Sequence, residues 1–527
     1  MKHMQKPKAV VLTGAVILLS ATALGQLVDK TKAPNHANEG INKSLAEQIG
    51  AGRGDLNTPG SSMFIINRDP FRAIRRGRQI FQRKFTKIEG QGPNVGDGSG
   101  DVGSNLAIGA GLSDSCASCH GRPRGSAGSG GDVVTRPDSR DAPHLFGLGL
   151  KEMLGDEITA DLRAIRAVAV AEAKAGNHTV TRPLTSKGID YGSISARADG
   201  SVDASLVQGV DPDLRVRPFF HHGGTVSIRE FVDGALQNEM GLQAVDPDLM
   251  RASRGARITT PSGMVLDGSA DKIDPPPTDD PTADPDGDGV RNEVPSSLVD
   301  FLEFYLLNYF KPGLYEQDAT TSQGKRFFEK VGCASCHIPD LQINRDRRVA
   351  DVETVFDPAN GIMNSLFATA TPLFNSVGDG TAFPPLKHPK LQPFLVKNIF
   401  TDFKRHDLGP GFYERNFDGT LQKEFLTTPL WGAGTTAPYG HDGRSINLAE
   451  VILRHSGEAQ AARDAFARLS AERRSAVIEF LNSLVLFPPD DTASTLDPGN
   501  RSAPGFPQFG HGAIMLTVLF NDPTDIE

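Results

Sequence analysis

Two segments of this sequence share the residue order C-A-S-C-H, one at Cys116–His120 and one at Cys333–His337. In a C-x-x-C-H motif the two thiols can add to the two vinyl groups of one porphyrin, and the adjacent histidine can then ligate the iron. The chain has four cysteines, all within these segments, so none remains for a disulfide or a catalytic thiol. The sequence therefore predicts two c-type haems, attached through Cys116, Cys119, Cys333 and Cys336 and ligated by His120 and His337.

Zinc sites and thioredoxin-type redox pairs also use the C-x-x-C spacing. A zinc site would need further cysteine or histidine ligands at short spacing. A redox pair would not need a trailing histidine in both segments. Haem attachment is therefore the interpretation that accounts for all five positions of each motif.

An acidic loop provides a second set of candidate ligands. It has the sequence D-P-D-G-D-G-V-R-N-E and offers the carboxylates of Asp284, Asp286, Asp288 and Glu293. The order D-x-D-x-D-G is typical of a calcium loop, in which hard oxygen ligands surround one ion. Pro295 stands where the bidentate glutamate of such a loop is expected, and Glu293 can substitute for it. The alternative is a solvated acidic turn, but the order of residues favours calcium.

Composition and charge limit the classes of partner. The chain has 527 residues, 38% of them hydrophobic, and a formal net charge of −9. The length is enough for about two to four domains. A negative net charge argues against nucleic acid or an anionic membrane as the main partner.

The N-terminus resembles a secretory signal. Lys2, Lys6 and Lys8 precede an apolar stretch from Ala9 to Leu19, which is too short for a stable membrane anchor, and small residues follow at Ala21–Gly25. The alternative is an uncleaved anchor. Because c-type haem is attached outside the cytoplasm, the motifs favour export, and we expect a periplasmic or secreted protein without stable membrane insertion.

Local patterns predict a mainly α fold with two haem domains, long loops and a small strand-containing insert. Apolar residues at helical spacing predict an amphipathic helix over Phe71–Phe85, whose basic side chains we expect on a solvated face. Ser227 with Glu230 matches a helix-capping box. Short alternating runs between residues 178 and 217 predict strands, and Ala513–Phe520 is a candidate last strand. The predicted division is a signal peptide at 1–25, an N-terminal arm at 26–70, a first haem domain at 71–273 with an insert at about 150–217, an acidic linker at 274–296, a second haem domain at 297–490 and a C-terminal extension at 491–527.

Several further motifs resemble those of a known family. The segments Thr428–Trp431 and Thr436–Gly443 resemble the T-P-x-L and T-A-P-Y-x-H-D-G block of the bacterial di-haem cytochrome c peroxidase superfamily. Arg140–Pro143, Phe146–Leu150 and Arg405–Gly409, with the acidic loop, are most similar to its branch of di-haem oxidoreductases, sometimes labelled thiol oxidoreductases. The latex-cleaving di-haem dioxygenases are a related, longer group. The resemblance covers roughly residues 70–490 and implies two cytochrome-c-like helical domains, with the active site at one haem.

The resemblance also assigns roles to individual residues. His120 and His337 match the proximal ligands. In the family the sixth ligand of the second haem lies fourteen residues after the histidine of the H-D-G block, and counting from His441 gives His455. His441 would then support a propionate or the turn at Tyr439.

On the distal side of the first haem, the family places a catalytic glutamate. The register of this chain puts Arg229 at that position with Glu230 next to it, so both are candidate catalytic residues. His144, His221 and His222 are further candidates near the open face of the first haem.

These observations predict an exported, peroxidase-like di-haem oxidoreductase that acts on peroxide or O2. The first haem would bind the substrate. The second would relay electrons from a small periplasmic donor such as a cytochrome or a cupredoxin. One alternative is a haem-dependent dioxygenase that cleaves an organic substrate at the first haem. The alternative from another class is a non-catalytic electron-transfer cytochrome in which both irons have six ligands.

Overall fold

The structure, a computed structural model, describes residues 44–92, 113–121, 127–130, 132–133, 140–308, 313–314, 317–347, 392–416 and 419–485. The predicted signal peptide, the C-terminal extension and the strand at Ala513–Phe520 lie outside these residues. Among the described residues, the α-helices are α1 (Leu45–Ile49), α2 (Ser62–Arg68), α3 (Pro70–Gln82), α4 (Cys116–His120), α5 (Leu148–Gly176), α6 (Ile228–Met240), α7 (Pro247–Ser253), α8 (Ser296–Leu307), α9 (Ala319–Lys330), α10 (Leu448–Arg454), α11 (Gln460–Ala467) and α12 (Ala471–Asn482).

Most of the described strands are short, and they pair in small ladders. They are β1 (Asp132–Val133), β2 (Arg140–Asp141), β3 (Val180–Ser186), β4 (Ile189–Ala196), β5 (Val202–Asp203), β6 (Arg257–Thr259), β7 (Val265–Asp267), β8 (Gly313–Leu314), β9 (Leu341–Ile343), β10 (Phe394–Val396), β11 (Arg405–Asp407), β12 (Glu414–Arg415), β13 (Leu421–Gln422), β14 (Glu424–Leu426) and β15 (Leu484–Val485). Strands β3, β4 and β5 form a three-stranded antiparallel sheet, and the others form two-stranded antiparallel ladders. The strands predicted between 178 and 217 are confirmed by β3–β5.

The mainly α prediction needs correction. About 40% of the structure is helical, and the small sheets make the fold mixed. The physical reason is that Gly- and Pro-rich turns divide much of the chain into short segments. Apart from β3 and β4, the strands have two or three residues and pair as ladders without a readable period of their own. That the two halves are cytochrome-c-like stays a prediction.

Helices α3 and α8 form the centre of the first half. Helix α8 is apolar nearly all round and its side chains are buried, as expected for a helix packed on every face. Helix α3 confirms the predicted helix, but its basic face is not solvated. Arg75, Arg76 and Arg78 are each at most 6% exposed. Arg76 donates to the carbonyl of Gln48 at 3.1 Å and lies over the ring of Phe301. The core of the first half thus continues to the end of α8, beyond residue 273.

The second half has a smaller core between α9 and α12. The two helices approach closely because position 324 is glycine: a Cβ there would lie 1.9 Å from the carbonyl oxygen of Ala476. Phe328, Phe400 and Phe480 pack edge to face beside this contact, with centroids 5.5–5.8 Å apart. None of the described helices is long and apolar enough to cross a membrane.

A buried charge cluster joins α6, α7 and α8. Arg229, on α6, is 0% exposed. Its guanidinium donates to Asp246 at 2.5 Å and to Asp300 and Glu303 at 2.9 Å each. Ser62 and Thr260 donate to the remaining oxygens of Asp300 and Glu303. Asp300 and Glu303 thus each accept from a second donor besides Arg229, and Asp246 accepts two hydrogen bonds from it. Every carboxylate of the cluster therefore accepts more than one hydrogen bond.

We expect Arg229→Met to lower the free energy of unfolding by about 3–5 kcal/mol, because the change leaves several buried carboxylates without their counter-charge. Denaturant unfolding measures the loss. Arg257→Met is the control, since the ion pair of Arg257 with Asp267 is exposed and such pairs contribute about 0–1 kcal/mol. An equally small loss in both variants would show that the cluster is not charged.

Candidate functional site

The first cysteine motif forms the short helix α4. Cys116 and Cys119 are one turn apart, and both thiols are free. Burial raises the pKa of Cys116 to about 12, and it also raises the pKa of Cys119. The chain after the motif packs tightly on it, since a Cβ at Gly130 would lie 1.0 Å from the carbonyl oxygen of Cys119. Met240, at the end of α6, places its Sδ 4.0 Å from the Sγ of Cys116.

A backbone carbonyl orients the imidazole of His120. Nδ1 donates to the carbonyl oxygen of Pro143 at 2.7 Å, so Nε2 carries the lone pair when the ring is neutral. The protein surrounds the ring although part of its surface stays open, and this burial lowers the pKa of His120 to about 4. A neutral imidazole with Nδ1 anchored is the form that a metal-ligating histidine adopts.

The second motif repeats this arrangement. Cys333–Ser335 is a single 3₁₀ turn that follows α9, and both cysteines are free thiols. Nδ1 of His337 donates to the carbonyl oxygen of Phe400 at 3.0 Å, and burial lowers the pKa of His337. The ring of Phe328 lies 6.1 Å from the His337 ring. Each motif therefore offers two free thiols and one anchored neutral imidazole, and these residues fit a c-type haem at each position.

His455 lies at the end of α10 in the same tautomeric state. Its Nδ1 donates to the carbonyl oxygen of Val451 at 2.7 Å, which leaves the lone pair on Nε2. Burial lowers the pKa of His455 to about 4, and the His337 ring adds to this lowering. The ring of Phe412 packs against it at 5.1 Å. The structure thus gives His455 a neutral ring with the lone pair on Nε2, and its role as iron ligand stays a prediction.

His406 is a charged group beside the second motif. Its Nδ1 and Nε2 donate to Glu458 at 2.7 Å and to Asp402 at 2.9 Å. Asp402, Cys336 and Glu458 raise the pKa of His406 to about 11 against the effect of burial, so the ring is an imidazolium. Sequence reasoning missed Asp402 and Glu458, because Glu458 lies more than fifty residues away in sequence and neither belongs to a recognisable motif.

The two halves meet at His144 and Trp431. Nε2 of His144 donates to the carbonyl oxygen of Trp431 at 2.8 Å, and Nδ1 accepts from the amide of Phe146 at 3.2 Å. Both nitrogens of His144 are therefore used in protein hydrogen bonds. The Trp431 ring lies against Gly147, where a Cβ would be 2.5 Å from the ring. Trp431 is 5% exposed and packs in the core of the first half.

The other candidate histidines lie close to this contact. His441 accepts, through its carbonyl, a bond from the amide of Asp141 at 3.0 Å, and its ring stacks on Phe425 with a centroid distance of 4.0 Å. The rings of His221 and His441 are 5.8 Å apart. His222 stacks on Phe220 at 6.2 Å.

The candidate catalytic pair has mainly protein partners. The amide of Glu230 donates to Ser227 Oγ, which confirms the predicted cap, but its carboxylate accepts from the amides of Val226 at 2.8 Å and Asp274 at 2.9 Å. Burial raises the pKa of Glu230 to about 6. Arg229 lies in the buried cluster described above. Their catalytic roles stay predictions, and the contacts shown are those of positioning residues.

The acidic loop brings three of its carboxylates together. Ligand oxygens of Asp284, Asp286 and Asp288 lie within 4.8 Å of one another. Glu293 is 3% exposed, and its Oε1 has no hydrogen-bond partner, while Oε2 accepts from the amide of Gln243 at 2.7 Å. Burial, followed by the three aspartates, raises the pKa of Glu293 to about 8.

Comparison with known families gives one match. Residues 346–484 match the family described as "Di-haem oxidoreductase, putative peroxidase". The matched segment covers less than half of the chain; it includes Asp402, His406, Trp431 and His455 but neither cysteine motif. The match supports the di-haem family and its haem cofactors. No curated protein matches the chain.

We expect Gly147→Ala to destabilise the protein more than Gly263→Ala. Both glycines have positive φ, +75° and +83°, so each alanine incurs a backbone cost of about 1–2 kcal/mol. Only at position 147 does the added Cβ meet a neighbour, the Trp431 ring. Overpacking there adds about 1–3 kcal/mol to the loss of stability. Thermal or denaturant unfolding compares the two variants. Equal losses would mean that the Trp431 ring moves aside freely.

Proposed function

We propose that this protein is an exported, peroxidase-like di-haem oxidoreductase. One observation supports this most strongly: both cysteine motifs present their histidine in the same way, with Nδ1 bonded to a backbone carbonyl and Nε2 left with its lone pair. The family match supports the oxidoreductase class, and the description of that family supports peroxide as the substrate.

Each half of the chain would hold one haem. Cys116 and Cys119 would hold one haem and Cys333 and Cys336 the other, with His120 and His337 as proximal ligands. Each haem, when bound, supplies an iron that changes oxidation state by one electron, so two of them match the two electrons that peroxide reduction consumes.

Around the second motif the chain supplies a closed site. His455 would occupy the sixth position there, because its Nε2 keeps the lone pair and it lies fourteen residues after His441, at the spacing of the family's sixth ligand. The His406 imidazolium, held between Asp402 and Glu458, keeps a positive charge beside Cys336.

We propose Glu230, which the register of the family motif places next to the catalytic position, as the group that exchanges protons at the first haem. Its raised pKa, about 6, allows both protonation states close to neutral pH. Arg229 would hold α6 in place through its three carboxylate partners rather than contact the substrate. The electron donor would be a small periplasmic redox protein.

His455→Ala tests this division. We expect the variant to retain two haems by intact mass, to convert one haem from low-spin to high-spin, and to bind CO or cyanide at both haems instead of one. Electronic absorption and EPR spectra measure the change. His178→Ala is the control, because His178 is exposed and its side chain bonds only the nearby Gly176 carbonyl among the described contacts.

The outcomes separate the alternatives. A mass showing fewer than two haems would refute the di-haem proposal itself. An unchanged low-spin signal in His455→Ala would refute the ligand assignment alone. A wild-type protein with two six-coordinate haems, no CO binding and no reaction with peroxide would be an electron carrier. Oxygen-dependent cleavage of an organic substrate would identify a dioxygenase.

We also propose that the acidic loop binds Ca²⁺. Three carboxylates converge there, and the buried Glu293 has one oxygen without a partner and is coupled electrostatically to all three. A hard divalent cation would relieve this repulsion and accept the unpartnered oxygen as a ligand. The loop lies against the first half, since Gln243 donates to Glu293 and, at 3.4 Å, to Asp286.

We expect chelation with EGTA to lower the Tm, because a ligand that binds only the folded state stabilises it by mass action, by about 2.7 kcal/mol at a hundredfold excess over Kd. Glu293→Gln should abolish the response to Ca²⁺ and, above pH 8, raise the Tm of the calcium-free protein, since Glu293 is ionised there and its charge repels the three aspartates. Asp280→Asn, in the same acidic segment, should respond like the wild type. A Tm that chelation leaves unchanged would identify a simple acidic turn.

A further inference from the structure

A continuous series of hydrogen bonds and short backbone segments connects the two proximal histidines. His120 donates to the carbonyl of Pro143, and the next residue, His144, donates to the carbonyl of Trp431. The residue before Trp431, Leu430, donates its amide to the carbonyl of Ile399 at 3.1 Å. The residue after Ile399 is Phe400, whose carbonyl accepts from His337. Four hydrogen bonds therefore join one imidazole to the other.

Each covalent part of the series runs through two sequence neighbours, and the part through His144 includes its side chain. Pro143 and His144, Leu430 and Trp431, and Ile399 and Phe400 are three pairs of sequence neighbours. The four hydrogen bonds are 2.7, 2.8, 3.1 and 3.0 Å long, within the normal range for N–H···O bonds. No step of the series crosses a van der Waals gap, and electronic coupling falls off more steeply across such a gap than along bonds.

The bonds of His144 are held firmly by its surroundings. Its second nitrogen accepts from the Phe146 amide, so the tautomer that donates to Trp431 is the only neutral one compatible with both partners. Burial lowers the pKa of His144 to about 3, and the ring therefore stays neutral at physiological pH. Gly147 allows the Trp431 ring to pack against the start of α5, which holds the Trp431 carbonyl in reach of His144.

We propose that His144 completes the electron-transfer route between the two haems, by bonding the Trp431 carbonyl and so coupling the His120 side of the molecule to the His337 side. One electron passes along the route: one iron goes from Fe(II) to Fe(III), the other from Fe(III) to Fe(II), and no bond or proton moves. This inference rests on the proposed di-haem function. His144 is accordingly a positioning residue in the route and not an iron ligand or a group that contacts substrate.

The experiment measures the interhaem electron-transfer rate directly, in the fully loaded protein and without any substrate, because position between two sites is not by itself proof of coupling. A rapid one-electron reduction by pulse radiolysis is followed optically as the electron distributes between the haems. His144→Phe keeps a planar ring but removes both hydrogen bonds. His144→Gln can donate to Trp431 and accept from Phe146, and it should restore the rate. Spectroelectrochemical titration gives both potentials, so that a changed driving force is separated from a changed coupling.

We expect a several-fold slower rate in His144→Phe, a rate near that of the wild type in His144→Gln, and unchanged haem content in both. Wild-type rates in both variants, or equal slowing in both at unchanged potentials, would overturn the inference. If His144→Phe does not load both haems, His144→Leu replaces it with the same expectation. A wild-type protein without two haems would instead refute the proposed function, and this outcome is read from the mass before any rate is measured.

Discussion

The hydrogen bonds from two imidazole Nδ1 atoms to backbone carbonyls are the interactions on which the rest of the site depends. A histidine side chain on a short, partly exposed turn has two free torsions, and a carbonyl acceptor removes that freedom and selects the tautomer. Pro143 and Phe400 supply the two acceptors. Neither belongs to a cysteine motif, so the surrounding fold, and not the motif, determines where Nε2 of each ring lies.

The carbonyls are in turn held by the contact between the two halves. Pro143 precedes the residue that bonds Trp431, and Phe400 follows the residue that accepts from Leu430. The packing of Trp431 into the first half and the aromatic cluster around Phe400 in the second half therefore act on both anchored imidazoles, those of His120 and His337, together. A substitution that disturbs this contact would therefore change the orientation of the histidine in both motifs. In two independent domains joined by a flexible linker, it would change only one.

Local sequence reasoning succeeded where the physics is local. The helix expected at Phe71–Phe85 occurs at Pro70–Gln82, and the cap at Ser227 is present. Half of the expected capping box is absent, since Glu230 turns to Val226 and Asp274 instead of Ser227. Local sequence reasoning failed where the partners of a side chain come from distant segments. Three arginines of α3 are buried, and Arg229 is enclosed by carboxylates from two other helices; neither fact has a signature in the window around these residues.

The tight contact between Gly130 and the Cys119 carbonyl has a consequence for the order of assembly. Thioether formation needs the two sulfurs to reach the vinyl groups, but in the folded chain the segment after the motif presses on Cys119, and burial keeps both thiols of this motif protonated. Under the proposed function, the closed fold would therefore slow thioether formation at Cys116 and Cys119. Haem would then be joined to the first motif more readily while the segment around Gly130 is still open, so that attachment would precede closure of that segment.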